Sequence, residues 1–481
     1  MGLNSSKNWI GGEWIAPNAG ELVIKNPSDS TEEVGVLHLS DASQVVQAAQ
    51  AARSALPAWS RLTGAGRADY LYKMANALEA NLTEIATLAS REMGKPIGEM
   101  RGETMRGVNL LRYYAAEGVR ANGVVIPSSE TNVLQYTKKV PLGVVGVITP
   151  WNFPVAIPIW KIAPALICGN TVIWKPAEFA SLTATRLAEI FASAGLPAGA
   201  LNLVIGKGST IGDVLLEQVN LNAVSFTGST NTGMRVAQAC ASRNIKYQTE
   251  MGGKNAAIVL SDADLDKAIP MILSGAFRSA GQKCTATSRI IVESAIYHPF
   301  VEALNRAVAG IKLAPALDPG AYLGPVASAS QFKSVMSYVN MAREQADIVA
   351  EGPALAEAKE GNYIRPIVAA GVDADHPLVQ EEIFGPVATV LEARNFEDAI
   401  ALCNRTEFGL SASLFTRNLA HAHRFLDEAE AGMVRVNQES AGVEYQSPFG
   451  GMKMSSSHSR EQGQAALDFY TETKTCAISY A

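Results

Sequence analysis

Cysteine is scarce in this chain. Five cysteines occur among 481 residues, and no two of them have the two-residue spacing of a metal-binding or redox pair. An odd number without paired spacing predicts neither a disulfide framework nor a zinc site. We therefore expect a protein of a reducing compartment, the cytoplasm, without a bound metal.

Long apolar runs and blocks of one charge are also missing. The first residues contain no apolar segment of the signal-peptide kind, and VPLGVVGVITP (140–150) is too short and too rich in glycine and proline to cross a bilayer. The net charge is −6, from 40 basic and 46 acidic residues, without a basic cluster. We therefore expect neither nucleic acid nor a membrane surface as the main partner.

The chain instead alternates between two kinds of segment. Short apolar runs rich in β-branched residues, such as NTVIWKP (170–176) and NAVSFTGST (222–230), are separated by helical stretches such as SLTATRLAEIFASAG (181–195). Buried strands that alternate with helices predict an α/β fold built on parallel sheets. A chain of 481 residues is long enough for two or three domains.

The ends of the chain predict β-structure of another kind. NWIGGEWI (8–15) predicts two strands joined by a tight Gly-Gly turn. Residues 41–120 have helical periodicity. TKTCAISYA (473–481) predicts a terminal strand, of the extended kind that often pairs with another subunit.

Two glycine-rich turns follow apolar runs and open helices: IGKGSTIG (205–212) and FTGSTNTG (226–233). Helix N-termini bind phosphate through their free N–H groups, although the first turn lacks the usual GxGxxG spacing and a plain tight turn is an equal alternative. Lys175 ends a predicted strand, and Glu178 follows it. A carboxylate at that place can accept hydrogen bonds from a ribose and repels a 2′-phosphate, which favours NAD, with NADP as the alternative.

Isolated polar residues stand in four further turns. Asn152 lies in PWNFPV, Glu250 in TEMGGKN, Glu382 in EEIFGPV and Cys284 in GQKCTATS. Each one alone is explained by turn chemistry. Cys284 alone is equally a buried space-filler, a metal ligand, half of a disulfide or a nucleophile.

Taken in order, these features resemble the aldehyde dehydrogenase superfamily from end to end. The resemblance extends to PFGGMKMS (448–455) and TETKT (471–475). Within the superfamily it is closest to the bacterial 2-oxoglutarate semialdehyde (2,5-dioxovalerate) dehydrogenases. That closer resemblance is carried by WNFPVAIPIWKIAPAL (151–166), AFRSAGQKCTATSR (276–289) and FGGMKMSSSHSREQG (449–463).

The resemblance implies a catalytic role for four residues. Cys284 becomes the nucleophile that forms a thiohemiacetal and then a thioester. Asn152 and the Cys284 backbone N–H stabilise the oxyanion. Glu250 is the general base for hydrolysis, and its presence favours release of a free acid over transfer to coenzyme A. The resemblance places Lys175 both among the catalytic residues and in the cofactor site.

The resemblance also implies a dinucleotide site. Lys175 and Glu178 hold the adenosine ribose, Ser229 and its turn hold the pyrophosphate, Glu382 holds the nicotinamide ribose and Phe384 packs near the ring. The remaining expected cofactor contacts are Thr149, Pro150, Trp151, Gly208, Phe226, Gly228 and Gly252.

The domain plan and the assembly are expectations of the same kind. The fold implied is a Rossmann-type cofactor domain whose sheet has five strands rather than six, an α/β catalytic domain and a small β oligomerisation extension. The limits are 1–121 with 142–252 for the NAD(P)-binding domain, 253–447 for the catalytic domain and 122–141 with 470–481 for the extension. A homodimer or homotetramer is expected.

The substrate tunnel is expected to take residues from several parts of the chain: Arg106, Asn109, Tyr113, Trp160, Lys283, Thr285, Gln438 and Tyr445. A semialdehyde with a distal carboxylate needs cations there, and Arg106, Arg112 and Lys283 are the candidates. Another branch of these semialdehyde dehydrogenases carries a polar residue and an arginine where this chain has Ile157 and Trp160, so the carboxylate must be held differently here.

Several alternatives stay open from the sequence. We expect 2-oxoglutarate semialdehyde as the substrate, and an apolar wall at Trp160 and Tyr445 also suits succinate semialdehyde or a broad range of aromatic and aliphatic aldehydes. A cysteine esterase without a redox step is a more distant reading. A non-catalytic binding protein on the same fold is another. Glu178, Lys175 and the two glycine-rich turns argue against the esterase, which needs no dinucleotide site. The intact set of Asn152, Glu250 and Cys284 argues against the non-catalytic protein.

Overall fold

The computed structural model describes residues 4–120, 122–356 and 360–480. Its strands, in chain order, are β1 (Asn4–Ser5), β2 (Asn8–Ile10), β3 (Glu13–Ile15), β4 (Glu21–Asn26), β5 (Asp29–His38), β6 (Val125–Ile126), β7 (Val133–Pro141), β8 (Val144–Thr149), β9 (Thr171–Pro176), β10 (Leu201–Leu203), β11 (Ala223–Thr227), β12 (Lys246–Glu250), β13 (Asn255–Val259), β14 (Thr287–Glu293), β15 (Asp347–Glu351), β16 (Ile367–Ala370), β17 (Val387–Ala393), β18 (Phe408–Gly409), β19 (Ser411–Phe415), β20 (Met433–Val436), β21 (Met452–Lys453) and β22 (Thr471–Ser479).

The helices, in chain order, are α1 (Ala42–Arg61), α2 (Gly64–Ala80), α3 (Leu82–Met93), α4 (Ile97–Glu117), α5 (Ala156–Ile167), α6 (Ser181–Ser193), α7 (Gly208–Asp213), α8 (Thr230–Ser242), α9 (Leu265–Phe277), α10 (Tyr297–Ala309), α11 (Ala329–Gln345), α12 (Pro377–Gln380), α13 (Phe396–Asn404), α14 (Leu419–Glu428) and α15 (Ala465–Phe469). Short helical turns lie at Glu178–Ala180, Val214–Gln218, Arg278–Gly281 and Ser294–Ile296. Within the described ranges, no helix is long and apolar enough to span a membrane.

The first large sheet has the order β12-β11-β8-β9-β10-β2-β3. Its first five strands pair in parallel, and the hairpin β2–β3 completes the edge antiparallel. Gly11 and Gly12 form the hairpin turn with φ of 62° and 88°, which favours glycine. The expected Rossmann-type sheet is confirmed: its five parallel strands are present, and the β2–β3 hairpin extends it to seven strands.

Both faces of this sheet are buried. Val145 and Val147 of β8 point into a core shared with α2, α4, α5 and α6, whereas Val144 faces a second core shared with α1 and α8. This alternation explains why the strands are apolar along their whole length. The chain order reverses between β8 and β11, so a crevice opens at the carboxyl ends of these strands.

The second large sheet has the order β15-β16-β17-β14-β13-β19-β20 and is parallel except for β15. Ala257 and Val259 face one core, and Ala256 and Ile258 face the other. The expected second α/β unit is therefore also confirmed. Cys284 lies in the loop that leads into β14.

A three-stranded antiparallel sheet, β22-β7-β6, projects from the body. The chain's last strand pairs along its full length with β7, from Thr471 opposite Pro141 to Ser479 opposite Val133. Val125 is 73% exposed although it is apolar. The β extension of the fold is thus present, while the domain limits stay a prediction. Residues 1–3, 121, 357–359 and 481 of those domains lie outside the described ranges.

One buried carboxylate ties two helices of the first unit together. Glu92 on α3 accepts hydrogen bonds from the backbone N–H groups of Leu182 and Thr183, both at 2.8 Å, and from the Thr183 hydroxyl at 2.5 Å. These N–H groups belong to the first turn of α6, which receives no cap from its own N-cap side chain. Burial raises the pKa of Glu92 to about 7.

We expect Glu92→Ala to lower the free energy of unfolding by about 2–4 kcal/mol, because it leaves two buried N–H donors without an acceptor. The measurement is the urea midpoint of the first unfolding transition. Glu84→Ala is the matched control, since Glu84 also joins α3 to α6 but through an exposed pair with Arg186, which is worth about 1 kcal/mol or less. Equal losses in the two variants would contradict this account.

Candidate active site

The ends of four neighbouring strands bring the predicted residues to one crevice. The chain leaves β8 through Thr149, Pro150 and Trp151 into Asn152, while Lys175 stands near the end of β9. Gly228 and Ser229 follow β11, and Glu250 is the last residue of β12. Parallel strands collect ligands at this edge of a sheet, so the sequence motifs meet where a ligand would be expected.

The segment before Cys284 has an unusual backbone. Ser279, Ala280 and Gly281 all lie in the left-handed region, with φ of 56°, 55° and 68°. A Cβ added at Gly281 would come within 2.2 Å of the Gly385 carbonyl oxygen. The loop is therefore held in a conformation that side chains disfavour, as is common at functional sites.

Asn152 reaches this loop directly. Its side-chain Nδ2 donates to the Gln282 carbonyl at 2.9 Å, two residues before Cys284. The amide has two N–H groups, and this bond uses one of them. From the other side, Asn255 Nδ2 donates to the carbonyls of Cys284 at 2.8 Å and Ala286 at 2.9 Å. The cysteine is thereby fixed between the two large sheets.

A buried ion pair supports the Asn152 loop and has no counterpart in the sequence predictions. Lys95 Nζ lies 2.6 Å from Glu103 Oε2 and donates to the Asn152 carbonyl at 2.5 Å. Glu103 Oε1 accepts from the N–H groups of Val155 at 2.9 Å and Ala156 at 3.1 Å. It thus satisfies the start of α5, which no N-cap side chain does.

Glu250 is buried at the end of β12. Its Oε2 accepts a hydrogen bond from Ser456 Oγ at 2.5 Å, and its Oε1 finds no partner among the described residues. Burial raises the pKa of Glu250 well above its usual range, the charge of Glu461 raises it further, and the Ser456 hydroxyl opposes the shift. One oxygen of this carboxylate is thus available to a proton or a water.

Glu461 forms a second buried charge centre behind Glu250. It pairs with Lys161 and accepts from Trp160 Nε1 at 2.7 Å. Ser225 Oγ lies 3.3 Å from the same carboxylate. Sequence reasoning missed these partners because Glu461 lies 300 residues or more from the lysine and the tryptophan that it contacts.

The Glu382 carboxylate packs against two glycines, Gly252 and Gly253, that follow Glu250 in the chain. Its Oε1 accepts from the Gly253 N–H at 3.2 Å, and a Cβ added at Gly252 would lie 2.1 Å from Oε2. Burial raises the pKa of Glu382 to about 7. Phe384, two residues on, has a φ of 55° and meets the Trp151 ring edge-on at 5.5 Å.

The far part of the crevice fits a dinucleotide. No side chain caps the N-terminus of α8 at Ser229, so its first N–H groups are open to an anion such as pyrophosphate. Glu178 Oε1 accepts from the Gly208 N–H at 2.8 Å, which places a carboxylate where a ribose could be bound. Burial lowers the pKa of Lys175, whose Nζ donates to the Pro176 carbonyl at 3.0 Å.

Phe226 is the predicted cofactor contact that the structure places mainly in the core. It is buried, and a Cβ added at Gly228 would meet its ring at 2.6 Å. Its observed contact is therefore with the turn that leads to Ser229.

A cavity of about 1100 Å³ opens between α4, the Asn152 loop and the segment after β20. Four of the predicted substrate residues line it: Arg106, Asn109, Gln438 and Tyr445. Tyr113 lies behind them and meets the Tyr445 ring at 5.8 Å. Two arginines that the sequence interpretation did not single out, Arg278 and Arg435, also line the cavity.

Like Tyr113, three further predicted tunnel residues do not line this cavity. Trp160 is buried against Phe449 with its N–H directed at Glu461. Lys283 is buried, and its Nζ donates to the Ser274 carbonyl on α9 at 3.0 Å. Thr285 is buried beside the cysteine. Arg112, a candidate for the distal carboxylate, instead pairs with Glu79 at 2.5 Å on the outer side of α4.

Arg106 is the best-placed of the predicted cations. Its Nη2 donates to Gln462 Oε1 at 2.8 Å, and its buried Nε finds no partner in the part of the chain that the structure describes. Burial lowers the pKa of Arg106, the carboxylates of Glu103 and Glu444 oppose the shift, and the positive charge of Arg435 adds to it. Arg106 and Arg435 thus place two positive charges on the cavity wall, beside the carboxylates of Glu103, Glu439 and Glu444 that line the same cavity.

The Cys284 thiol is neutral under ordinary conditions. Burial raises its pKa to about 12, the charges of Glu382 and Glu250 act in the same direction, and the N–H groups of Thr285 and Cys284 oppose them. The thiolate is therefore the minor form in the free protein at neutral pH.

We expect alkylation of Cys284 by iodoacetamide, in the protein without added ligands, to accelerate about tenfold per pH unit from pH 7 to about 9.5. Below the raised pKa, each pH unit multiplies the thiolate fraction by ten. The rate is measured by mass spectrometry of the peptide that contains Cys284, with glutathione as the control thiol. A plateau near pH 8 would show that the site stabilises the thiolate instead.

Comparison with known proteins places this geometry in context. Residues 14–476 match the model of the aldehyde dehydrogenase family. The chain is 50% identical to the alpha-ketoglutaric semialdehyde dehydrogenase of Bacillus subtilis (strain 168), over 99% of this chain and 98% of that protein. It is 37% identical to the 2,5-dioxopentanoate dehydrogenase of Saccharolobus solfataricus, over 96% and 97% of the two chains.

A solved structure has the same fold. The betaine aldehyde dehydrogenase of Staphylococcus aureus, crystallised in complex with NAD+, superposes with a TM-score of 0.94 at 32% identity, over 98% of this chain and 95% of that chain. Together with the family match over almost the whole length, this shows that the chain belongs to the aldehyde dehydrogenase family.

Proposed function

We propose that this enzyme oxidises 2-oxoglutarate semialdehyde (2,5-dioxopentanoate) to the corresponding acid with NAD, through a thiohemiacetal and a thioester on Cys284. The observation that carries the proposal is the meeting of Cys284, Asn152 and Glu250 at the carboxyl edge of the first sheet. The relatives from Bacillus subtilis and Saccharolobus solfataricus are named for this substrate under its two names, which supports the choice.

Cys284 forms the covalent bond to the substrate. The thiol is neutral in the free protein and partly exposed, so its proton first passes to solvent water. The thiolate sulfur then attacks the aldehyde carbon, and the carbonyl oxygen becomes an oxyanion. The second N–H of the Asn152 amide and the Cys284 backbone N–H stabilise that oxyanion. Since Asn152 is already bonded to Gln282, it needs little reorganisation during the reaction.

The dinucleotide would be held by the crevice described above. Glu178 and Lys175 bind the adenosine ribose, Ser229 with the start of α8 binds the pyrophosphate, and Glu382 binds the nicotinamide ribose. The chemistry that NAD supplies when bound is acceptance of hydride from the thiohemiacetal carbon. The carboxylate of Glu178 repels a 2′-phosphate, so NAD is preferred and NADP is the weaker alternative.

Glu250 takes the proton of the water that hydrolyses the thioester. Its unpartnered Oε1 is the acceptor, and its raised pKa makes it a stronger base than an ordinary glutamate once ionised. The product is a free carboxylic acid rather than a coenzyme A ester. A cysteine esterase without a redox step would leave the Glu178, Ser229 and Glu382 arrangement without a purpose.

The distal carboxylate of the substrate would bind to arginines on the cavity wall. Arg106 comes from α4 and Arg435 from β20, and Arg278 stands at the entry to the catalytic loop. This arrangement replaces the polar residues that Ile157 and Trp160 do not supply. It favours an acid semialdehyde over a neutral aldehyde, because a half-buried guanidinium gains a charge-assisted hydrogen bond from a carboxylate.

The β22-β7-β6 sheet would join subunits into a homodimer or homotetramer. Val125 and Ile478 expose apolar side chains on it, at 73% and 50%. An extended sheet with exposed apolar groups is a liability in a monomer and is normally covered. The predicted cytoplasmic location, based on the scattered cysteines, and the predicted domain limits belong to the same proposal.

The activity is tested by following NADH formation with a panel of aldehydes: 2-oxoglutarate semialdehyde, succinate semialdehyde, glutaraldehyde, benzaldehyde and hexanal. We expect the highest kcat/KM for the two acid semialdehydes. Arg106→Ala and Arg435→Ala should each raise KM for 2-oxoglutarate semialdehyde roughly 10- to 100-fold by removing a buried charge partner, with little effect on hexanal.

Arg112→Ala is the matched control on the same helix and should behave like the wild type. Equal effects of the Arg106 and Arg435 variants on hexanal and on the acid semialdehyde would contradict the carboxylate site. A preference of the wild type for benzaldehyde or hexanal would contradict the substrate. Absence of NADH with every aldehyde would contradict the dehydrogenase activity.

A further inference from the structure

Helix α4 touches both loops that carry the reacting groups. Glu99 and Glu103 lie four residues apart on it and therefore share one face of the helix. Glu103 holds the loop of Asn152, as described above. Glu99 has no role in the chemistry proposed so far.

Glu99 binds the strained segment before Cys284. Its Oε1 accepts from the Ser279 N–H at 3.0 Å, and its Oε2 accepts from the Ser279 hydroxyl at 2.6 Å. Ser279 has a φ of 56° and is followed by Ala280 at 55°. Without an external partner, a serine at this position would favour a different backbone conformation.

The contacts form a closed arrangement around the site. From Glu103, the Lys95 ammonium reaches the Asn152 carbonyl at 2.5 Å. Ser279, which Glu99 holds, accepts a hydrogen bond at its carbonyl from the Gln282 N–H at 3.1 Å. The Asn152 side chain then closes the arrangement on the Gln282 carbonyl. The two glutamates thus fix the two loops against one rigid element.

We infer that Glu99 is a positioning residue for the reaction: by holding Ser279 in the left-handed conformation, it sets the place of Cys284 relative to the Asn152 amide. The inference rests on the proposed function, because that distance matters only if an oxyanion forms between the two groups. Helix α4, in the predicted cofactor-binding part of the chain, would thus help to place Cys284, which lies in the predicted catalytic part.

Glu99 also lines the cavity, so its charge could act on the substrate directly. Two variants separate these effects. Glu99→Gln removes the charge but keeps an oxygen that accepts from Ser279. Glu99→Ala removes both. A charge effect appears in both variants and mainly in KM, whereas a positioning effect appears in kcat of the alanine variant.

The experiment measures kcat, KM for the aldehyde and KM for NAD in the full-length enzyme. We expect Glu99→Ala to lower kcat roughly 10- to 100-fold, because a small displacement of reacting groups has effects of this size. KM for NAD should not change, since the cofactor crevice lies on other loops. Glu99→Gln should keep most of the wild-type kcat.

A second substitution tests the physical cause. Glycine adopts the left-handed conformation without a side-chain penalty. Adding Ser279→Gly to Glu99→Ala should therefore restore most of the lost kcat. A glutamate needed only for stability would not be rescued in this way. The control is Glu79→Gln, which removes the negative charge that pairs with Arg112 on the outer side of α4. It should leave kcat unchanged.

The outcomes are separable. A folded Glu99→Ala enzyme with wild-type kcat, or one that Ser279→Gly does not improve, would overturn the positioning role while the proposed function stands. An inactive wild type would overturn the proposed function and this inference with it. If Glu99→Ala does not fold, Ser279→Ala and Ser279→Gly decide: a lower kcat in the alanine variant alone supports the role, and equal values overturn it.

Discussion

The hydrogen bond from the Asn152 amide to the Gln282 carbonyl is the contact on which the site depends. It joins a loop at the end of β8 to the loop before Cys284, and thus the first large sheet to the second. The proposed nucleophile and its proposed oxyanion donor follow strands of different sheets, so neither sheet alone provides the site. The packing around this bond, from Asn255 on one side to Lys95 on the other, keeps the two loops in one arrangement.

The molecule also buries a cluster of ionisable groups near the end of β12. Glu250, Glu461 and Lys161 stand together in the interior, where removing charges from water is costly unless each has partners. Their partners are present: Ser456 for Glu250, and the lysine with Trp160 for Glu461. Such a cluster contributes little net stability, but it keeps a carboxylate basic and in place at the end of β12.

The two parallel sheets, the first hairpin and part of the cavity wall could be predicted from the sequence, because local patterns determine them. Apolar β-branched runs between helices predicted the parallel sheets, and Gly-Gly predicted the first hairpin turn. Asn109 and Tyr113 follow Arg106 by three and seven residues and therefore lie on the same face of the helix. Arg112 follows Arg106 by six residues, which is one full turn plus about 240°, so it faces outward. Applied strictly, helical periodicity would have excluded Arg112 from the cavity.

Other parts of the site could not be predicted, because they depend on contacts distant in sequence. Nothing local marks Arg435 as a wall of the cavity or Glu461 as the partner of Lys161; both follow from how the sheets pack. Lys95 and Glu103 could have been noted as charges eight residues apart, but their burial against Asn152 could not. Residues that act through backbone carbonyls leave no pattern of their own in the sequence.

The central claim is that the acyl group passes through Cys284 and that Glu250 releases it. The most direct test is a single-turnover reaction of Glu250→Gln with NAD and 2-oxoglutarate semialdehyde, quenched in acid and analysed by mass spectrometry. The account predicts a burst of about one NADH per active subunit, then a stall, with the acyl group on the peptide that contains Cys284. An unchanged steady-state rate, or a burst without acylated Cys284, would contradict it.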